Sequence, residues 1–221
     1  MSTKKEIEKI LNGEIPVTSN ILIELIYSHG SINKNLPKKE CYDLSNLDVS
    51  QIENLSYIFR ESMFNGDLSK WNTSSLQHCH QLFYESAFDG DISQWDVSNV
   101  TNMDRTFQNS YFNGDISQWD TSNVETMAYV FEGSQFRGDV SLWNTSKVTQ
   151  MHGAFANTSF DGDLSQWNVS NVADMSFMFS NSDFNGDVSN WKTSRLVTMW
   201  FMFSMSKFQG DLSRWDVGNV R

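Results

Sequence analysis

FDGDLSQWNVSNVADMSFMF, residues 160–179, recurs along the chain with a step of 24 residues. Trp71, Trp95, Trp119, Trp143, Trp167, Trp191 and Trp215 stand 24 apart without a slip, and so do Phe64, Phe88, Phe112, Phe136, Phe160, Phe184 and Phe208. Each of these Phe residues is followed by x-Gly-Asp, from Gly66-Asp67 to Gly210-Asp211. A degenerate earlier copy begins at Asp43-Leu44-Ser45, with Leu47 in place of the Trp, Leu55 in place of the Met and Phe59 at the second Phe. A fixed period of this length marks stacked repeats, because one such unit cannot bury its own apolar face.

Within a unit, Phe88, Gly90 and Ile92 alternate with Asp91 and Ser93. This period of two predicts a short strand with one buried face. Trp95 opens a turn. Val100, Met103, Thr106 and Phe107 then follow at spacings of 3, 3 and 1, which place them on one face of a short helix. Serines at 50, 74, 98, 122, 146, 170 and 194 precede that segment as N-caps, and Ser50…Glu53 and Ser122…Glu125 read as capping boxes. The expected fold class is an α/β repeat solenoid: leucine-rich-repeat-like strand–turn–short-helix units stacked on a parallel sheet, with a helical N-terminal cap. The expected division is a cap over 1–42 and about seven and a half repeats over 43–221. In the cap, Thr3…Glu6 reads as a capping box for a helix from Lys4 to Asn12 that ends at Gly13. A second helix is predicted from Ser19 to His29. Its apolar positions, Ile21, Leu22, Leu25 and Ile26, would cover the first repeat.

The chain carries a net charge of −11. Residues 1–45 are neutral overall, with six Lys against six acids, so the excess lies in the repeats, with ten basic against twenty-one acidic side chains. Such a surface repels phosphate backbones, so nucleic acid is not an expected partner. A basic protein partner is. The N-terminal MSTKKEIEKILNGEIP puts charges where a signal peptide needs an apolar stretch, so no export signal is expected. The longest apolar stretch, Ile21–Tyr27, is interrupted by Glu24 and is too short to span a bilayer.

FNGDISQWDTSNV (112–124) and the opening stretch 160–179 resemble the BspA-like leucine-rich-repeat surface proteins and the related repeat of Mycoplasma surface lipoproteins. The resemblance covers residues 43–221, about four-fifths of the chain. It implies a leucine-rich-repeat-like solenoid, a cell-surface or secreted location, and adhesion to or interaction with host matrix or neighbouring cells.

The chemistry on offer is repetitive. The column Asp67, Asp91, Asp115, Asp139, Asp163, Asp187 and Asp211 reads either as a ladder for cations or a basic partner, or as turn residues that accept backbone N–H groups. No cofactor, metal or catalytic residue is expected. Nearly every Ser and Asp is a repeat position, and no G-x-S-x-G, H-E-x-x-H or phosphate loop is present. Among His78, Cys79 and His80, the cysteine takes the buried Met column, and His152 lies three repeats away. Partner specificity belongs to columns that stacking does not dictate. These include Arg137 after its Phe, Gln118 before its Trp, and Tyr129, Phe177 and Phe201 two positions after Met, with Trp200 beside them. With Asp91, Asp115, Asp139 and Asp163, these form the candidate partner-binding set.

The expected function is therefore a non-enzymatic protein-interaction module. The alternatives are a self-assembling repeat, joined end to end as a homodimer through its last repeat, and an intracellular effector or inhibitor that binds a basic protein. Thr73, Thr121, Thr145 and Thr193 share a column with Val97, Val169 and Val217, which disfavours a flat ice- or polysaccharide-binding array.

Overall fold

The aromatic columns stack in register. In the computed structural model, which describes residues 4–11, 17–27 and 43–221, the first Phe column runs from Phe64 to Phe208 with ring centroids 6.2–6.5 Å apart. The second column, Phe59 to Phe203, repeats at 5.1–5.9 Å. The two columns interlock, with Phe131 on Phe136 at 4.2 Å and Phe179 on Phe184 at 4.0 Å. Nearly all of these rings are fully buried, together with the Ile/Leu/Val, Met and Trp columns. The conserved step of glycine in x-Gly-Asp has a steric origin. Each Phe ring folds back over the glycine two residues on, and a Cβ on Gly138 would lie 2.8 Å from the Phe136 ring.

Each ladder Trp also ties its repeat to the previous one. The indole Nε1–H donates to the carbonyl 27 residues earlier, as in Trp71 to Leu44, Trp143 to Ile116 and Trp215 to Val188, at 2.8–3.0 Å. Leu44, Leu47, Leu55 and Phe59 of the degenerate copy are buried in the same cluster. Two helices join it: α1, Lys4–Leu11, and α2, Ser19–Tyr27. Leu22, Leu25 and Ile26 of α2 are fully buried, and Ile21 packs at the margin. Thr3, Gly13, Pro16 and Gly30, on which the expected helix ends rest, lie outside the described residues.

The α/β expectation is corrected. Among the described residues, 43–221 contain no β-strand, no sheet and no helix. The repeats are joined in the β manner only by isolated parallel bridges at one position per repeat, from Asn54↔His78 to Asp174↔Thr198.

The reason lies in where the amides go. In the segment read as a strand, side chains take the N–H groups that a ladder would need. Phe88 N–H donates to Ser86 Oγ, Asn113 N–H to Asp89 Oδ1, and Ser117 N–H to Asp115 Oδ1. Such local acceptors compete with sheet formation. The inward alternation survives, since Phe88 and Ile92 are buried and Asp91 is exposed.

The segment read as a helix is broken by left-handed residues at two places per repeat, for example Tyr129 and Gly133, or Phe177 and Asn181. Its amides alternate in use. Met127, Tyr129, Phe131 and Gly133 donate to the next repeat, at Gln150, His152, Ala154 and Ala156. Val130, Glu132 and Ser134 donate three residues back in successive turns. Ser122, read as an N-cap, is instead held in a turn by Asp120 Oδ1, so the Ser…Glu capping boxes have no helix to cap.

Replacement of Trp143 by Ala removes a buried ring and the Ile116 bond. It should lower stability by about 3–5 kcal/mol in a denaturant titration. A Phe at the same place should recover part of the loss, because it restores apolar volume without the N–H.

Candidate functional site

Most polar columns are engaged in building the stack. Asp67, Asp91, Asp115, Asp139, Asp163, Asp187 and Asp211 each accept the N–H of the serine two residues on, at 2.8–2.9 Å. Hydrogen bonds from that serine, backbone first, hold the carboxyls of Asp115, Asp163, Asp187 and Asp211 below the usual range. For Asp67 the Ser69 side chain is the leading cause. The Thr column is buried: Thr121 Oγ1 donates to Asn144 O and Thr145 Oγ1 to Asn168 O, so it offers no outward array.

The column after each Phe is a further ladder, although its sequence looks free. Asn65 Oδ1 accepts Asp89 N–H, Asp89 accepts Asn113, and Asn113 accepts Arg137, at 2.7–2.8 Å. Arg137 has no acceptor to pass on, and the ladder resumes at Asp161 with Asn185. Gln118 is exposed, with its amide donating to Ser117 Oγ. Among the described residues, no ring contact or hydrogen bond joins the group of Asp91, Asp115, Asp139, Asp163, Arg137 and Gln118 to the remaining four candidates.

Those four, Tyr129, Phe177, Phe201 and Trp200, belong to an outward aromatic ladder. Tyr57, Gln81, Arg105, Tyr129, Gly153, Phe177 and Phe201 occupy one column, all at φ of 53–67°. The Arg105 guanidinium lies 4.2 Å from the centre of the Tyr129 ring. Tyr129 covers the space left by Gly153, where a Cβ would lie 2.6 Å from the ring. Tyr129 packs on His152 at 4.8 Å, His152 on Phe177 at 5.5 Å, and Phe177 on Phe201 at 5.4 Å. Trp200 and Phe201 are 63% and 64% exposed, and the Trp200 indole donates to Arg221 O. His152 Nδ1 lies 3.3 Å from Asp174 Oδ2. The sequence reading set His152 aside as a stray ligand and missed it as a member of this ladder. Its position one residue before the left-handed column is the signal that would have placed it.

Cys79 is buried in the Met column, its sulfur 3.7 Å from Thr106 Oγ1, and burial pushes its thiol up to about 12. His80 packs edge-on to Tyr57, and burial lowers its pKa. Among the described residues no group of three or more His, Cys, Asp or Glu side chains is placed to hold a metal ion, and no helix is long and apolar enough to cross a membrane.

These features define a protein of stacked 24-residue repeats with an aromatic surface ladder. The chain belongs to the family described as "Mycoplasma protein of unknown function, DUF285", which matches residues 30–138 and 132–221. No curated protein and no solved structure matches it.

Two outcomes follow from the turn and core chemistry. A carboxyl held low in the folded state contributes stability above its ordinary value of about 4, and loses that contribution as pH falls through its folded value. Asp115→Asn keeps the turn acceptor, so it should melt like the parent at pH 7 and lose less on acidification; Asp115→Ala should melt lower already at pH 7. In a Cys41→Ser background, Cys79 should resist a thiol reagent at pH 8 while folded and react fully in denaturant. Rapid reaction of the folded protein would remove Cys79 from the core.

Proposed function

We propose that this chain is a non-enzymatic interaction module that binds a protein partner through the ladder Tyr129–His152–Phe177–Phe201 and the adjacent Trp200. The observation that carries this reading is the cost of the column. A side chain with a Cβ in the left-handed region is disfavoured by roughly 1–2 kcal/mol. Glycine takes the same place without strain, as Gly153 does. Bulky aromatics nevertheless stand there at Tyr57, Tyr129, Phe177 and Phe201, with Tyr57 47% and Phe177 36% exposed. Strained, exposed aromatic side chains concentrate at binding surfaces.

Two further features support the reading. The Ser, Asp and Thr columns that could suggest chemistry serve as turn acceptors and inter-repeat bonds. Residues 46–189 carry five basic against nineteen acidic side chains, a field that steers a basic partner. The resemblance of residues 112–124 and 160–179 to BspA-like repeats extends the proposal to adhesion at a cell surface.

A photo-crosslinking residue at position 177 should yield a partner adduct in the producing organism, whereas one at position 118 should not. Phe177→Ser should then weaken binding of that partner by about tenfold or more, with little change in melting temperature. Equal adducts at both positions, or unaltered binding by Phe177→Ser, would leave the ladder with a stacking role alone.

A further inference from the structure

A separate surface lies at the position before each Phe. The column reads Met63, Ala87, Tyr111, Gln135, Ser159, Asp183 and Lys207. Stacking engages its backbone but does not set its side chains: Ala87 N–H donates to Ser62 O and Tyr111 N–H to Ser86 O. Large apolar side chains therefore have no internal reason to be here. Met63 is nonetheless 48% exposed and Tyr111 61% exposed.

Ala87, between them, is the smallest side chain of the column. The result is an open recess of about 380 Å³ lined by Met63, Ala87, Tyr111, Asn65 and Asp89. Its two walls are two repeats apart, roughly 10 Å at the usual spacing of adjacent backbones. That gap admits one alkyl chain in contact with both walls at about 4 Å.

The polar rim is unevenly engaged. Asn65 Oδ1 accepts the Asp89 N–H, and Asp89 Oδ1 accepts the Asn113 N–H. Asp89 Oδ2 has no hydrogen-bond partner among the described residues. An apolar slot that ends in a free carboxylate oxygen matches a side chain with an apolar stem and a cationic head. Arg60 pairs with Glu61 at 3.3 Å and lies over the Tyr84 ring. The surrounding field is acidic, as counted above. We propose that this recess takes a lysine or arginine side chain of a protein partner, with the stem between Met63 and Tyr111 and the head on Asp89. The inference uses none of the aromatic-ladder residues and stands or falls apart from that surface.

The test is an NMR titration of the full chain with N-acetyl-lysine amide and N-acetyl-arginine amide. The uncharged N-acetyl-norleucine amide serves as the control. The cationic amides should shift the Met63 methyl and Asp89 amide signals and leave Phe177 unmoved. Asp89→Asn keeps the ladder bond, since Asn65, Asn113 and Asn185 fill the same column. It should therefore melt like the parent and bind about threefold or more weakly, as expected for loss of an exposed ion pair. Ala87→Leu should fill the slot and abolish the shifts. Norleucine binding as well as lysine, unchanged affinity in Asp89→Asn, or no shift at Met63 and Asp89 at saturating ligand would each overturn the proposal. A ladder that fails to crosslink a partner leaves these outcomes unaffected.

Discussion

The indole N–H of each ladder tryptophan, donated to a carbonyl one repeat back, is the constraint on which the stack depends. A buried indole needs a partner for its N–H. Here the partner is always the carbonyl of the Ile, Leu or Val that starts the previous turn, as in Trp167 to Val140 and Trp191 to Leu164. One side chain thus fills the core and fixes the register. A slip of one residue would bury an unpaired donor and push a Phe out of its column, where its neighbours lie 4–6.5 Å away. The 24-residue step is invariant because both conditions must be met at every level.

With register set by side chains, the backbone is released from the usual ladders. Asx and Ser acceptors hold the corners. Main-chain bonds join repeats at single amides, such as Ala87 to Ser62 O and Glu125 to Thr101 O, and along the Met-to-Phe segment they recur at every second amide. That alternation requires left-handed residues, and the left-handed residues project side chains that the core does not use. The aromatic ladder is thus a by-product of the backbone geometry that this sequence has filled with Tyr and Phe rather than glycine throughout. The same logic separates the two surfaces. Columns whose side chains bond the next repeat, such as Asn65, Asp89 and Asn113, are fixed by folding even where they vary. The column of Met63, Ala87 and Tyr111 is left free.

The acidity of the repeats follows from the same construction. Aspartates recur because a short side-chain acceptor is needed at each corner, and Asn serves equally at Asn72 and Asn144. The carboxylate column is first a set of turn acceptors. Its charge is the residue of that role and gives the molecule its field.

The sequence by itself determined the period, the inward columns and the helices α1 and α2. Each is written in residue type and spacing: Trp and Phe every 24 positions, Leu22, Leu25 and Ile26 on one face. It also offered both readings of the Asp column, and named Tyr129, Phe177, Trp200 and Phe201. It did not determine the secondary structure of the repeat. Alternation in F-x-G-D-[ILV]-S reports which side faces the core, not whether the amides bond to a neighbour, and spacings of 3, 3 and 1 fit successive turns as well as a helix. Only the tertiary structure decided those points, because local acceptors such as Ser86 Oγ act together with acceptors one repeat away, such as Asp89 Oδ1 for Asn113 and His152 O for Tyr129. It alone brought His152 between Tyr129 and Phe177, and opened the slot between Met63 and Tyr111. Residues 24 and 48 apart become neighbours only once the repeats are stacked.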